Sequence, residues 1–176
     1  MRLFAAIPIP ESESLAIATR DLLAGARGAR PAPPGGRHLT LRFFGEMGDS
    51  RPAVEALRET LDGQVALSAV CRGVGAFPCL RQARVAWVPV AAPGLEELEE
   101  KLRNATSHLG RPPEPRAFRP HVTLARLNPA QDITAWAAAY RNTTFFRGRL
   151  GEVVLFRTEF GESGPVYRRE FSLALG

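Results

Sequence analysis

Lysine is almost missing from this sequence: of its 23 basic residues, all but Lys101 are arginine. Cysteine, methionine, tryptophan and tyrosine occur twice each, and histidine three times, in 176 residues. Each scarcity excludes something. Cys71 and Cys79 match no zinc or redox spacing and read as two free thiols, buried or half-buried. No apolar run approaches the ~20 residues of a membrane span. The opening MRLFAAIPIPESES is apolar only briefly and holds Pro8 and Pro10, unlike the longer core of a secretory signal. The expectation is a cytoplasmic protein without membrane contact. With no dimerisation signal, the default is a monomer.

What is there is arginine and an apolar content sufficient for folding. Hydrophobic residues make up 45% and charged residues 23%, ordinary values for a globular chain. Net charge is +5 and the pI about 10.2, a balance that suits a polyanionic partner. The planar guanidinium fork suits phosphate in particular. Abundant Arg, Ala, Gly and Pro together also fit a biased genome composition, so charge permits a nucleic-acid substrate without establishing one.

Hydrophobic patterning orders the chain. RLFAAIPI reads as a buried strand, and Glu11 to about Ala26 as an amphipathic helix capped by Ser12 or Ser14. GARGARPAPPGGR is a loop, HLTLRFFGE a strand, and Pro52 opens a helix to about Leu61. VALSAVCRGVGAF and ARVAWVPV read as strands around a turn near Pro78. GLEELEEKLRNATSHL reads as a helix closed by Gly110. A second Pro/Arg loop, RPPEPRAFRP, leads into the strand HVTLARL. Ala130 to Tyr140 reads as a helix, and strands flank a turn at GESGP.

One pattern occurs twice: helix, Pro/Arg loop, His-x-Thr-Leu on a strand, helix. The histidines, His38 and His121, lie nearly half the chain apart. A duplicated α+β lobe with a shared cleft would explain this, in one sheet or in two facing sheets. Strand alternation puts His38, Thr40, Arg42 and Phe44 on one face and Leu39, Leu41 and Phe43 on the other. His121 and Thr123 likewise share a face, with Val122 and Leu124 turned to the core. Strict alternation sets Arg126 opposite His121; a bulge near Ala125 would turn it to the cleft.

Two such pairs facing each other supply what phosphodiester cleavage needs. A neutral imidazole can take a proton from water, and a protonated one can give a proton to a leaving ribose oxygen. Imidazole titrates near pH 6.5, so both forms are within reach. Threonine hydroxyls can donate to the non-bridging oxygens. Alternation does not distinguish the acid from the base.

These motifs resemble those of the two-histidine (2H) phosphoesterase superfamily. The similarity is greatest to the RNA 2′,3′-cyclic phosphodiesterases, the LigT-like or ThpR proteins once described as 2′-5′ RNA ligases. It rests on RLFAAIPIP, on HLTLRFFGE with its Gly45, on RPHVTLAR and on the spacing between them. The resemblance implies residues 1–176 as a single bilobal α+β domain, with antiparallel sheets facing a central cleft and helices packed outside. It implies hydrolysis of RNA 2′,3′-cyclic phosphate ends to 2′-phosphate ends without metal or cofactor, and reversible 2′-5′ ligation. By the same resemblance His38 is the general acid, His121 the general base, and Thr40, Thr123 and Arg126 bind phosphate. The implied partner is RNA or a nucleotide with a 2′,3′-cyclic phosphate end.

Other residues carry weaker expectations. Phe44 could stack on a base and Arg42 contact phosphate, both from the His38 face. Arg116, Arg119, Arg30 and Arg37, in the two Pro/Arg loops, could bind the RNA backbone. His108 lies near a helix end, where a cation suits the helix dipole. A three-histidine zinc site would need it to join His38 and His121, which lack ligand spacing. Trp87 and Trp136 read as core residues. A small cyclic nucleotide as substrate, or RNA-end binding without turnover, are the competing functions.

Overall fold

Hydrophobic alternation and capping sort the chain into fourteen main elements in the computed structural model, which describes residues 1–33, 35–162 and 164–176. In order they are β1 (Arg2–Pro8), α1 (Glu13–Gly25), β2 (Ala29–Pro31), β3 (His38–Glu46), α2 (Arg51–Leu61), β4 (Leu67–Arg72) and β5 (Gly75–Phe77). Then come β6 (Ala83–Ala91), α3 (Leu95–Ala105), β7 (His121–Gln131), α4 (Thr134–Tyr140), β8 (Thr144–Leu150), β9 (Glu152–Gly161) and β10 (Gly164–Ala174).

Caps explain where the expected boundaries move. The Ser12 hydroxyl accepts from the Leu15 amide at 3.2 Å, so α1 starts at Glu13 rather than Glu11. Asp132 accepts from the Thr134 amide at 2.9 Å, and α4 starts there while β7 runs on to Gln131. The first Pro/Arg loop contains β2, a three-residue strand that its prolines conceal. Pro34 of that loop and Ser163 of the GESGP turn lie outside the described residues.

The fold is α+β and its pairings are antiparallel. The strand order is β10-β9-β1-β3-β7-β6-β4-β8, with β2 against β7 and β5 against β6. That order is symmetric about its middle. A four-stranded half ending in β3 meets a four-stranded half ending in β7 through one register pair, Leu39↔Val122. The symmetry extends to the neighbours: Pro8 of β1 lies opposite His38, and Pro89 of β6 lies opposite His121. Chain order crosses between halves, since β4 follows β3 but joins β6, and β9 follows β8 but joins β1.

The helices α1 to α4 cover one face. Leu15, Leu57, Leu98 and Leu102 pack there with Leu39, Val122, Leu124 and Leu155 from the strands. Ala137 of α4 is also buried. Cys71 is buried as expected, and burial pushes its thiol up to about 11, whereas Cys79 is exposed. The opposite face is left to the cleft.

Two bulges decide what that face carries. On β3, Thr40 pairs with Ala6 and Arg42 with Ala5, so Leu41 has no partner on β1. Beyond the bulge the alternation is inverted. Arg42 and Phe44 therefore do not share the His38 face: Phe44 is fully buried in the helix-side core and Arg42 is 4% exposed. The Arg42 guanidinium donates to the carbonyls of Phe43, Leu109 and Arg111 at 2.5, 3.1 and 2.7 Å, and to Thr106 Oγ1 at 3.2 Å. It fastens the start of the segment leading to β7. Gly110 follows from the same packing. Its φ is +59°, and a Cβ there would collide with the Phe44 carbonyl.

Arg42→Ala should therefore destabilise the protein by on the order of 3 kcal/mol, because buried carbonyls lose their donor. Urea unfolding measures this; a loss below about 0.5 kcal/mol, typical of a surface change, would contradict the fastening role.

Candidate active site

The bulge recurs on β7. Thr123 pairs with Trp87 and Ala125 with Ala86, leaving Leu124 unpartnered on β6. Arg126 consequently turns to the His121 face and is exposed there, while Ala125 and Leu127 are buried. The two strands thus present corresponding rows: His38, Thr40 and Phe43 on one, His121, Thr123 and Arg126 on the other. Phe43, not Phe44, is the aromatic residue on the cleft face.

The Leu39↔Val122 pair brings these rows together. A cleft of about 730 Å³ is lined by Thr40, Phe43, Phe77, His121, Thr123 and Arg126, with residues 111–114 and 116–119 as a further wall. His38 stands beside that volume rather than in its lining, yet the His121 and Arg126 charges both act on it. Neither threonine hydroxyl has a partner within the protein among the described residues, so both are free to donate to a ligand.

The imidazoles are held the same way. His38 Nδ1 lies 2.6 Å from the Gly36 carbonyl, and His121 Nδ1 lies 2.6 Å from the Arg119 carbonyl. A carbonyl only accepts, so each Nδ1 carries the hydrogen and each Nε2 is left for chemistry. The surroundings differ. His38 sits among Phe4, Tyr167 and Phe156, with ring centroids 4.8, 5.2 and 5.9 Å away. His121 has Phe77 edge-on at 5.0 Å and Trp87 at 5.9 Å. Burial lowers the His38 pKa to about 4, opposed by the Gly36 hydrogen bond and helped by the charges of His121 and Arg126. Burial also lowers His121, with Arg126 adding to the effect.

Several of these aromatic residues were not expected at the site. Trp87 is not a core residue: opposite Thr123, its ring lies on Gly75, where any Cβ would collide with it. Trp136 does pack against the core, its Nε1 donating to Ala18 O at 2.9 Å. Tyr167 comes from β10, far along the chain, and burial raises its pKa. The Pro8/Pro89 correspondence in AIPI and WVPV is the sequence signal that could have placed β1 and β6 beside the motifs.

The arginines divide by their partners. Arg37 forms an ion pair with Glu11 and donates to Thr19 Oγ1, which ties it to α1 instead of the cleft. Arg116 pairs with Glu114 on the wall, and Arg119 lines the cleft without an ion pair among the described residues. His108 is exposed beyond α3 and outside the lining.

Known proteins are similar to this chain in sequence and in fold. Residues 13–162 match the 2′-5′ RNA ligase superfamily model. The RNA 2′,3′-cyclic phosphodiesterase of Thermus thermophilus is 34% identical over 98% of this chain and 90% of that protein. That of Methanothermobacter thermautotrophicus is 31% identical over 76% of each. The crystal structure of TT0787 from Thermus thermophilus superposes with a TM-score of 0.81 at 30% identity, covering 99% of this chain and 98% of that one. Escherichia coli LigT complexed with 3′-AMP gives 0.73 at 25% identity, covering 99% and 97%.

NMR of the imidazoles tests the electrostatics directly. At pH 7 both should be neutral Nδ1–H tautomers, with His38 titrating near 4 and His121 below 6.5. A His38 midpoint at or above 6.5 would contradict its burial.

Proposed function

The chain belongs to the 2′-5′ RNA ligase superfamily, and from that premise we propose that it hydrolyses RNA 2′,3′-cyclic phosphate ends to 2′-phosphate ends through His38 and His121. The observation that carries this reading is the pairing of two equivalently held imidazoles, each with Nε2 free, beside two unpartnered threonine hydroxyls. His121 takes a proton from water as its oxygen attacks phosphorus. The P–O3′ bond breaks, and His38 gives its Nε2 proton to the departing 3′ oxygen. Thr40 and Thr123 donate to the non-bridging oxygens, and Arg126 balances their charge. With a ribose 5′-hydroxyl in place of water, the same path makes a 2′-5′ linkage, and its reverse cleaves one.

The acid and base assignment follows the resemblance to the two-histidine phosphoesterases. Burial lowers the pKa of both imidazoles, so either is a strong proton donor once charged. The bound phosphate stabilises the charged form, since Arg126 and burial keep both rings neutral in the free protein. Among the described residues no helix is long and apolar enough to cross a membrane; we read the protein as a cytoplasmic monomer, which sedimentation and cell fractionation test.

Incubation with adenosine 2′,3′-cyclic phosphate in EDTA should yield the 2′-phosphate. His38→Ala and His121→Ala should each lower kcat at least ~100-fold. Formation of the 3′-phosphate, or undiminished rates in both variants, sinks the reading.

A pH profile makes a separate demand. The working form has one proton on the pair, and both free-enzyme pKa values lie below 6.5. kcat/KM should therefore peak on the acid side of 6.5 and decline as pH rises. The kcat profile should lie at higher pH, because bound phosphate favours the protonated imidazole.

A further inference from the structure

Sequence places Arg30 in a Pro/Arg loop, but the fold places it in a strand. β2 pairs with β7 on the side that β3 leaves open, and its register sets Ala29 opposite Leu127, Arg30 opposite Arg126 and Pro31 opposite Ala125. Leu127 and Ala29 pack into the helix-side core. Arg30 and Arg126 therefore project together from the cleft face. Two guanidiniums directly across a strand pair repel each other. Neither forms an ion pair with a carboxylate among the described residues, and Arg30 is exposed. Most other arginines bordering the cleft differ: Arg111 and Arg116 pair with Glu114, Arg103 with Glu99, and Arg42 is spent on carbonyls.

The pair is also graded in position. Arg126 lines the cleft, and its charge acts on His38, His121 and Tyr167. Arg30 stands across the strand pair from it, in line with β3, and is not part of the lining. The cation nearest the histidines is thus followed by a second cation, outside the site but adjoining it. An RNA 3′ end has the matching charge pattern: the reacting phosphate, then the phosphodiester that joins the terminal nucleotide to its 5′ neighbour.

On the hydrolytic reading above, we propose that Arg30 binds this adjoining phosphodiester, making β2 an upstream subsite that recognises an RNA chain over a mononucleotide. The Arg30–Arg126 repulsion is relieved when the two phosphates occupy their positions. The fork geometry of arginine allows two parallel hydrogen bonds to that phosphate.

The test compares two substrates, adenosine 2′,3′-cyclic phosphate and the dinucleotide ApA with the same cyclic end. Only the second has the upstream phosphodiester. Arg30→Ala should lower the dinucleotide-to-mononucleotide ratio of kcat/KM about tenfold, mainly through KM, as expected for a lost charged hydrogen bond. Arg30→Lys should recover part of it. The salt dependence of dinucleotide binding should weaken by about 0.7 in logarithmic slope, one single-strand contact. Arg147→Ala, an exposed arginine on β8, controls for net charge and should leave the ratio alone.

An unchanged ratio in Arg30→Ala, or an equal fall in Arg147→Ala, overturns the proposal. Titration with the product, ApA 2′-phosphate, separates the subsite from the hydrolytic reading. A wild-type protein that turns over neither cyclic substrate defeats the hydrolytic reading. The same titration still decides Arg30, whose replacement should weaken dinucleotide product binding more than binding of adenosine 2′-phosphate.

Discussion

One cross-strand pair, Leu39↔Val122, holds the functional geometry together. It is the register contact between β3 and β7, the innermost strands of the two halves. Each partner is the residue between a histidine and its threonine. Continuing the antiparallel register by one step sets His38 toward Thr123 and Thr40 toward His121. Both buried side chains face the helix-side core, so a register slip would put a leucine or valine into the cleft and the histidines and threonines into the core. The hydrophobic effect thereby fixes the relation between two polar motifs that do not bond each other. The crossing of β4 and β9 between halves makes the arrangement harder to shear.

The same alternation made part of the site legible in sequence and misled about the rest. His38, Thr40, His121 and Thr123 precede the bulges, and their faces follow from period-two patterning. Arg42, Phe44 and Arg126 follow them, where the extra residues Leu41 and Leu124 invert the pattern. The conditional placement of Arg126 became correct through the bulge; the unconditional placement of Arg42 and Phe44 became wrong for the same reason. Neither bulge has a glycine to announce it, and HLTLRFF reads as unbroken strand. The α+β class was readable because four amphipathic helices alternate with apolar strands. The aromatic surroundings were not, because Phe4, Phe156 and Tyr167 reach His38 from strands at opposite ends of the chain.

Burial of the histidines has a cost and a use. Both rings lose hydration, which favours their neutral forms in the free protein. A phosphate in the cleft would make the added proton favourable, because its charge would offset desolvation and the nearby Arg126. On the proposed mechanism, the ligand would thus assemble the acid that acts on it. Carbonyl contacts to Nδ1 keep the rings oriented, so neither must rotate when the proton arrives.

Five residues after each histidine, beyond equivalent bulges, stand Phe43 and Arg126. Two identical chains meeting about a twofold axis would have to present the same residue at both places. A single chain is released from that rule, and here it sets an aromatic ring against a cation. A ligand turned end for end would meet arginine where it needs an apolar ring and a ring where it needs charge. The cleft therefore has a direction: an asymmetric ligand fits it one way round, although the scaffold that holds it is almost the same from either side.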